Sequence, residues 1–357
     1  MNTGKLLALA TSGALAVGAA SCGGQQGGAI SGAGSTFAAP LYNQLGSEFK
    51  DKGGATVNYN PIGSGGGIAQ FTAGTVDFGA SDAAMKDEEV KAADKKGQPV
   101  HVPTAFGSIT VAYNLPGVAK GLRLDGPTGA DIFLGKIKKW NDPAIARLNP
   151  GKKLPATSIT VVHRSDESGT TKLFTSFLSD SSPAWKQQVG SDKTVKWPTG
   201  TGAKGNDGVA GAVKQTDGSV GYVELAYALQ NKFTTVDVKN SAGKFVAPTL
   251  QSTSAAGEGV KVPADLRFSA INSRNPQAYP IASATFILVY KDMCKARVKK
   301  GDAQGVVNWL AYVLGAGQKS AEQIQYAPLP AGLDQKAKAK ADGLTCNGSP
   351  LKPSSGA

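Results

Sequence analysis

The segment from Ser158 to Leu178 has the sequence SITVVHRSDESGTTKLFTSFL and decides the fold. Its first residues, up to Val162, are rich in β-branched side chains and predict a strand. Ser168 stands in an N-cap position, and the residues after it repeat with the period of a helix that has one apolar face. The residues of that face are Leu173, Phe174, Phe177 and Leu178. The segment therefore predicts a strand, a turn and a helix that begins at about Gly169.

The start of this helix has the chemistry of an anion site. Its first backbone N–H groups are unpaired and lie at the positive end of the helix dipole. The hydroxyls of Ser168, Thr170 and Thr171 add short donors. Arg164, at the end of the strand, supplies a fork of donors that Asp166 can hold in place. An ordinary capped helix beside a surface arginine is the alternative.

Composition favours a globular protein with two lobes. At 357 residues, with 41% hydrophobic and 18% charged residues, the chain can form one large core or two moderate ones. Its 46 glycines occur largely in short runs beside strand-like segments and predict many tight turns. The net charge of +12 comes from scattered lysines without interleaved aromatic residues, so it indicates a solvated surface and no nucleic-acid partner.

The N-terminus has the features of an export signal. Residues 1–21 contain Lys5, a short apolar stretch and small residues before Cys22, which predicts a signal peptide that is too short to span a membrane. The small residues before Cys22 resemble the lipobox of bacterial lipoproteins, in which the cysteine is acylated, although Ala19 stands where that family prefers leucine. Residues 22–28 are glycine-rich and would form a flexible tether. Plain secretory cleavage and an unmodified cysteine are the alternatives.

Export also bears on the remaining cysteines. Exported proteins fold in an oxidising compartment, so Cys294 and Cys346 form an even pair that can make one disulfide. Two buried free thiols are the alternative. Residues 347–357 are expected to be a flexible tail.

The pattern of strand, polar turn and helix occurs twice more. Residues 29–40 place Thr36 near a helix start, and residues 55–71 place Ser64 in a glycine-rich turn after a strand. A further strand, residues 75–81, ends directly before Asp82. Each turn alone is weak evidence, because it matches neither the dinucleotide fingerprint nor the phosphate loop with its Lys-Ser/Thr ending.

Strands and helices alternate along the whole chain. Residues 108–114 and 284–290 predict strands, whereas residues 131–140 and 305–314 predict helices. This alternation predicts an α/β fold in which most strands are parallel.

The segments quoted above resemble the substrate-binding protein of the bacterial phosphate-specific ABC transporter. The resemblance extends from about Ile30 to Leu329. The motifs that carry it are Gly32-Ala33-Gly34-Ser35-Thr36-Phe37, Gly63-Ser64-Gly65-Gly66, Val76-Asp77-Phe78-Gly79-Ala80-Ser81-Asp82, Gly135-Lys136-Ile137-Lys138-Lys139-Trp140, Arg164 to Thr170, Gly205-Asn206-Asp207-Gly208 and Thr285-Phe286-Ile287-Leu288. It implies a two-lobed periplasmic-binding-protein fold of type II, with a mainly parallel sheet and flanking helices in each lobe.

The resemblance also implies which residues bind phosphate. One lobe would contribute Thr36, the backbone N–H of Phe37, Ser64 and Asp82. The other lobe would contribute Arg164, Ser168, Gly169 and Thr170. Asp166 matches the acidic residue that orients the binding arginine.

The family's organisation implies lobe boundaries and partners. The first lobe would comprise residues 29–106 and 282–346 and the second residues 107–281, with hinge crossings near Gly107 and Ile281. The implied protein is a monomer without enzyme activity, metal or cofactor. It captures inorganic phosphate outside the cytoplasmic membrane, to which a lipid anchors it, and delivers the phosphate to transmembrane permease subunits.

The side-chain chemistry agrees with a phosphate ligand. Phosphate carries one or two protons at neutral pH, so its site benefits from one acceptor among many donors, and Asp82 is that acceptor. Sulfate brings no proton, and a site built on a required hydrogen bond can reject such an analogue by roughly 10⁴-fold. The remaining groups are donors that contribute about 1.5–3 kcal/mol each.

The sequence leaves three other functions open. A secreted enzyme acting on phosphate esters needs a metal cluster or an activated nucleophile, but His101 and His163 are the only histidines and no base for Ser168 is evident. A binder for another tetrahedral oxyanion, such as sulfate or molybdate, conflicts with the acceptor Asp82. A nucleic-acid binder would retain oligonucleotides and depend steeply on salt.

Overall fold

The computed structural model describes residues 28–118 and 120–354. The predicted signal peptide, Cys22 and the predicted tether up to residue 27 lie outside these residues. Among the described residues, no helix combines the length and the apolar character needed to span a bilayer.

One large sheet contains most of the strands. The strands are β1 (Ala29–Gly34), β2 (Thr56–Asn60), β3 (Phe78–Ser81), β4 (Pro99–Asn114), β5 (Arg123–Leu124), β6 (Thr160–Arg164), β7 (Thr201–Ala203), β8 (Ser219–Glu224), β9 (Thr234–Thr235), β10 (Asp237–Lys239), β11 (Phe245–Val246), β12 (Ala282–Tyr290), β13 (Thr345–Cys346) and β14 (Ser349–Pro350). The large sheet has the order β2-β1-β3-β12-β4-β8-β6-β7, with β9 paired to β4. Two small sheets have the orders β11-β10-β5 and β13-β14.

Helices connect these strands. They are α1 (Ala39–Asp51), α2 (Ser64–Ala73), α3 (Asp87–Asp94), α4 (Gly126–Phe133), α5 (Pro143–Leu148), α6 (Gly169–Ser181), α7 (Pro183–Gln188), α8 (Gly205–Gln215), α9 (Leu225–Gln230), α10 (Leu250–Gly257), α11 (Lys300–Leu314), α12 (Gly317–Gln323) and α13 (Ala331–Asp342). The three strand-turn-helix units predicted from the sequence are β1-α1, β2-α2 and β6-α6, and all three are confirmed. The predicted apolar face of α6 is buried, which docks this helix on its lobe.

Strand β4 joins two lobes, because its 16 residues take part in both. Its first part, Pro99 to Ser108, pairs antiparallel with β12, and its second part, Ile109 to Asn114, pairs antiparallel with β8. Where the partner changes, the Ile109 N–H donates to the Ile281 carbonyl at 2.7 Å. The strands on either side of this point form the two lobes of the expected type II fold.

The sheet is mixed in strand direction. β1 is parallel to β2 and β3, and β6 is parallel to β7 and β8. β12 is antiparallel to β3 and β4, and β4 is antiparallel to β8. The expectation of mainly parallel strands therefore holds for the outer strands of each lobe, whereas β12, β4 and β8, the strands nearest the junction, pair antiparallel.

The helix predicted for residues 131–140 is wrong in its position. α4 begins at Gly126, where Asp125 caps its N-terminus, and ends at Phe133. Gly135 follows with a φ of 73°, the left-handed conformation that ends helices. Trp140 lies in the core beyond this turn, where its indole N–H is satisfied by a backbone carbonyl at 2.9 Å.

The C-terminal segment packs against the body, which differs from the flexible tail predicted from residue 347. β14 pairs with β13, and the Leu351 side chain is buried. The Ser354 N–H donates to the side-chain oxygen of Asn308 at 2.9 Å. A disulfide joins Cys294 to Cys346 and so ties the hairpin to the segment that follows β12. Up to Ser354 the segment is therefore part of the first lobe's surface.

Candidate functional site

The candidate site lies where both lobes present the carboxyl ends of parallel strands. In the first lobe, Thr36 follows β1, Ser64 begins α2 after β2, and Asp82 follows β3. In the second lobe, Arg164 ends β6 and Gly169 begins α6. Such strand ends, together with the N-termini of the helices that follow them, form the crevice in which α/β proteins bind ligands.

Arg164 is fixed in place within the second lobe. Its side chain is 1% exposed, and its Nε donates to Asp166 Oδ1 at 2.7 Å while Nη2 donates to Oδ2. Burial opposes ionisation of Asp166, but the hydrogen bonds and the charge of Arg164 outweigh it and hold the pKa of Asp166 below its usual range. The third nitrogen, Nη1, donates to Thr170 Oγ1 at 3.3 Å. The guanidinium is therefore oriented by Asp166 before any ligand arrives.

Helix α6 begins at Gly169, as the sequence predicted, and its N-terminus faces the first lobe. Ser168 caps it by accepting a hydrogen bond from the Thr171 N–H at 3.0 Å. A β-carbon on Gly169 would lie 2.4 Å from Ser64 Oγ and 2.7 Å from Asp82 Oδ2. Only glycine allows the N-terminus of α6 to approach Ser64 and Asp82 this closely. The two lobes are therefore closed on each other in this structure.

Asp82 is 1% exposed and is surrounded by hydroxyl groups. Ser35 and Thr285 donate to its Oδ1, the latter at 2.9 Å, and Ser64 Oγ lies 3.4 Å from Oδ2. Burial raises the pKa of Asp82 to about 6, even though these hydroxyls and the charge of Arg164 lower it. When ionised, this carboxylate accepts hydrogen bonds and donates none.

Asn206 connects hydroxyls of the two lobes. Its Nδ2 donates to Thr36 Oγ1 at 2.9 Å and to Thr170 Oγ1 at 3.3 Å. Its backbone N–H also donates to Thr36 Oγ1, at 3.2 Å, and its Oδ1 accepts from the Glu224 N–H at 2.9 Å. Asn206 therefore links Thr36 of the first lobe to Thr170 of the second lobe by hydrogen bonds.

Phe37 is buried, and Tyr326 fixes its backbone. The Tyr326 hydroxyl donates to the Phe37 carbonyl at 2.6 Å and lies 2.9 Å from Glu224 Oε2. A tyrosine hydroxyl has one proton and a carbonyl only accepts, so the second contact is satisfied when Glu224 is protonated and donates. In agreement, burial raises the pKa of Glu224 well above its usual range.

The structure gathers the residues proposed from the sequence around one cleft and adds others. Ser35, Thr285 and Asn206 contact these residues directly, and the Tyr227 hydroxyl donates to the Thr36 carbonyl at 2.7 Å. Asn206 and Thr285 lie in the motifs quoted above, but the sequence assigned them no contact. Ser35 had a local signal, since it is a hydroxyl beside Thr36 at the end of β1.

Neither histidine belongs to a metal-binding cluster in the part of the chain that the structure describes. No group of three or more His, Cys, Asp or Glu side chains there is arranged to hold a metal ion. His101 Nε2 accepts the Met85 N–H at 3.1 Å, and burial lowers the pKa of His101 to about 4. His163 stacks on Trp197 with a centroid distance of 4.8 Å, and burial lowers its pKa as well. Both contacts are structural.

Two α/β lobes that close over a cleft of oriented donors define a two-lobed substrate-binding protein. Residues 19–316 match the family described as the PBP superfamily domain. The chain belongs to this superfamily and, within it, to the family of proteins named phosphate-binding protein PstS.

Relatives from three bacteria support this membership. The phosphate-binding protein PstS of Xylella fastidiosa is 44% identical over 313 residues, which cover 87% of this chain and 84% of the relative. The PstS of Haemophilus influenzae is 43% identical, covering 86% of this chain and 91% of the relative. The phosphate-binding protein PstS 3 of Mycobacterium leprae is 36% identical, covering 92% and 89%.

Solved structures share the fold at lower identity. A DING protein has a TM-score of 0.71 at 21% identity, covering 91% of this chain and all of that one. A substrate-binding protein from Clostridium perfringens, solved with bound phosphate, has a TM-score of 0.62 at 17% identity, covering 85% of this chain and 100% of that one. These likenesses bear on the fold alone.

Proposed function

We propose that this chain is an extracytoplasmic binding protein that captures inorganic phosphate between its lobes and delivers it to the permease of an ABC transporter. The names of the relatives support phosphate as the ligand. The observation that carries the proposal is the buried carboxylate of Asp82, which stands as a proton acceptor in a cleft of oriented donors. Binding, rather than catalysis, is the proposed role, and no cofactor takes part in it.

Phosphate in this proposal is held from both lobes. Its contacts are Thr36, the Phe37 N–H, Ser64 and Asp82 from the first lobe, and Arg164, Ser168, Gly169 and Thr170 from the second. The arginine, already oriented by Asp166, and the N-terminus of α6 offset the charge of the anion. Because both lobes contact one ligand, phosphate binds the closed state better and shifts the population towards it.

The carboxylate of Asp82 supplies selectivity. It accepts the proton that phosphate carries at neutral pH, whereas it would face an unprotonated oxygen of sulfate. When a carboxylate oxygen meets an unprotonated sulfate oxygen, both are acceptors and their buried negative charges have no donor between them. This costs far more free energy than the loss of a contact between neutral groups. The site therefore admits phosphate and rejects sulfate.

The proposal includes attachment to the outer face of the cytoplasmic membrane through acylated Cys22. Its support is the run of small residues before Cys22 and the glycine-rich segment after it. We propose a monomer hanging from this anchor. If a labelled fatty acid is incorporated equally by wild type and by Cys22→Ala, or by neither, the anchor is excluded.

Titration of the purified protein with phosphate, sulfate and a phosphate monoester tests the function. Calorimetry should detect tight binding of phosphate only, and small-angle scattering should show a smaller radius of gyration in its presence. Absence of phosphate binding, or hydrolysis of the ester, would overturn the proposal.

A further inference from the structure

A cluster of charged residues lies between the lobes at the edge of the cleft. The first lobe contributes Lys86, before α3, and Glu89, in its first turn. The second lobe contributes Asp192 and Lys193, from the segment between α7 and β7. We call these four residues the interlobe ion-pair cluster, because each of its two ion pairs joins one lobe to the other.

The inner pair of the cluster is Glu89 with Lys193. The Lys193 Nζ donates to Glu89 Oε1, and their side chains are only 3% and 19% exposed, lysine first. The other oxygen of Glu89 accepts the Lys86 N–H at 2.8 Å and so caps α3. Glu89 thus pairs with Lys193 through one oxygen and caps α3 through the other. The charge of Lys193 is buried against the carboxylate of Glu89.

The outer pair of the cluster is Lys86 with Asp192. Lys86 Nζ donates to Asp192 Oδ2 at 2.6 Å, and each side chain is 40% exposed. The hydrogen bond with Asp192 raises the pKa of Lys86 above its usual range. Since water screens an exposed pair, this contact is worth less than the inner one.

The inner pair is coupled by the backbone to the proposed ligand contacts. The Lys193 carbonyl accepts the Ser168 N–H at 2.9 Å, one residue before the start of α6. Beside it, the Gly65 N–H of the first lobe donates to the Glu167 carbonyl of the second lobe at 3.0 Å. When the lobes separate, Glu89 and Gly65 must leave their partners, whereas Lys193 and Ser168 stay together.

We propose that the interlobe ion-pair cluster stabilises the closed state and thereby sets the affinity for phosphate without touching it. This inference rests on the proposed function, since it names residues that control the same cleft. The binding-competent state is closed, and apparent affinity falls in proportion to its population. Glu89 and Lys193 are positioning residues of the closed form.

The inner and outer pairs differ in expected effect. Glu89→Gln keeps an oxygen for the Lys86 N–H but removes the close counter-charge of the buried Lys193. Only the half-exposed carboxylate of Glu167, 3.8 Å from Lys193 Nζ, then remains, so phosphate binding should weaken by about 10- to 100-fold. Lys86→Ala removes the more exposed outer pair and should weaken phosphate binding by at most about fivefold. Adding Lys193→Met to Glu89→Gln removes the stranded charge and should recover about threefold or more of the loss.

Phosphate calorimetry on these variants, with thermal unfolding of each in the absence of phosphate, tests the inference. Asp334→Asn is the matched control, because Asp334 pairs with Lys338 at 2.7 Å within α13 and joins no lobes. The control should bind like wild type. Scattering should show that Glu89→Gln needs more phosphate than wild type to close.

The outcomes separate this inference from the proposed function. If wild type does not bind phosphate, the function itself fails. If wild type binds and Glu89→Gln binds equally well, the cluster does not control closure. If the double variant binds no better than Glu89→Gln, the loss came from the changed cap of α3, and the inference is again wrong.

Discussion

The two lobes bring opposite chemistry to the same cleft. The second lobe presents the Arg164 guanidinium and the N-terminus of α6, both of which attract negative charge. The first lobe presents hydroxyls and the buried carboxylate of Asp82, which repels an anion unless the anion brings a proton. Under the proposed function, this difference assigns affinity mainly to the second lobe and selectivity to the first, so a variant should be able to damage one and leave the other.

Arg164→Ala should have the largest effect. It removes a charge-assisted donor from a buried anion, so phosphate affinity should fall by roughly 2–5 kcal/mol, or about 30- to 4,000-fold. Discrimination against sulfate should persist, because Asp82 is untouched. Calorimetry with both anions measures the two quantities. Arg123→Ala, a change at an exposed arginine above the Phe245 ring, serves as control and should bind normally. Wild-type affinity in Arg164→Ala would contradict the account.

Gly169→Ala should have the next largest effect, because it acts on the approach of the two lobes. The new β-carbon would collide with Ser64 and Asp82, so the lobes close incompletely and affinity falls by about tenfold or more. Scattering with saturating phosphate should give a larger radius of gyration than wild type.

Gly211→Ala is the matched control for Gly169→Ala. Gly211 lies inside α8, and a β-carbon there has nothing within 4 Å. This control should close and bind normally and gain up to about 1 kcal/mol of stability. If Gly169→Ala closes and binds as the control does, then the lobes do not approach as closely as described.

Asp82→Asn should change stability modestly and in a pH-dependent way. Its pKa is raised from 3.8 to about 6 in the folded protein, so the unfolded chain ionises first. The stability associated with the neutral acid is present below pH 3.8 and is lost as pH rises through 6. Without phosphate, the free energy of unfolding of Asp82→Asn should therefore equal that of wild type near pH 3.8. At pH 7 it should exceed that of wild type by about 1–3 kcal/mol. Urea unfolding across the window measures this, and a constant difference would count against it.

The sequence was informative where contacts are local. Ser168, Thr170 and Arg164 belong to one strand-turn-helix unit, so a single segment predicted their common location. Thr285 was missed as a contact because it reaches Asp82 through the antiparallel pairing of β12 with β3, across 203 positions of sequence. No local pattern encodes that pairing.

Two further errors concern secondary structure. The helix predicted over residues 131–140 followed apolar periodicity and disregarded Gly135, whose positive φ ends α4 early. The predicted tail from residue 347 lacked strong patterning, but a hairpin tied down by the nearby disulfide brings Leu351 into the core. The first error therefore overlooked a local signal, whereas in the second, tertiary contacts outweighed weak local patterning.

Competition calorimetry at pH 7 on wild type and Asp82→Asn tests the central claim most directly. The amide keeps the shape of the carboxylate and can turn a donor towards either anion, so phosphate should bind somewhat more weakly and sulfate should become a measurable competitor. The exposed Asp94→Asn is the control and should exclude sulfate as wild type does. If sulfate remains excluded from Asp82→Asn, the first lobe does not select by accepting a proton, and the shape of the cleft must provide the selectivity instead.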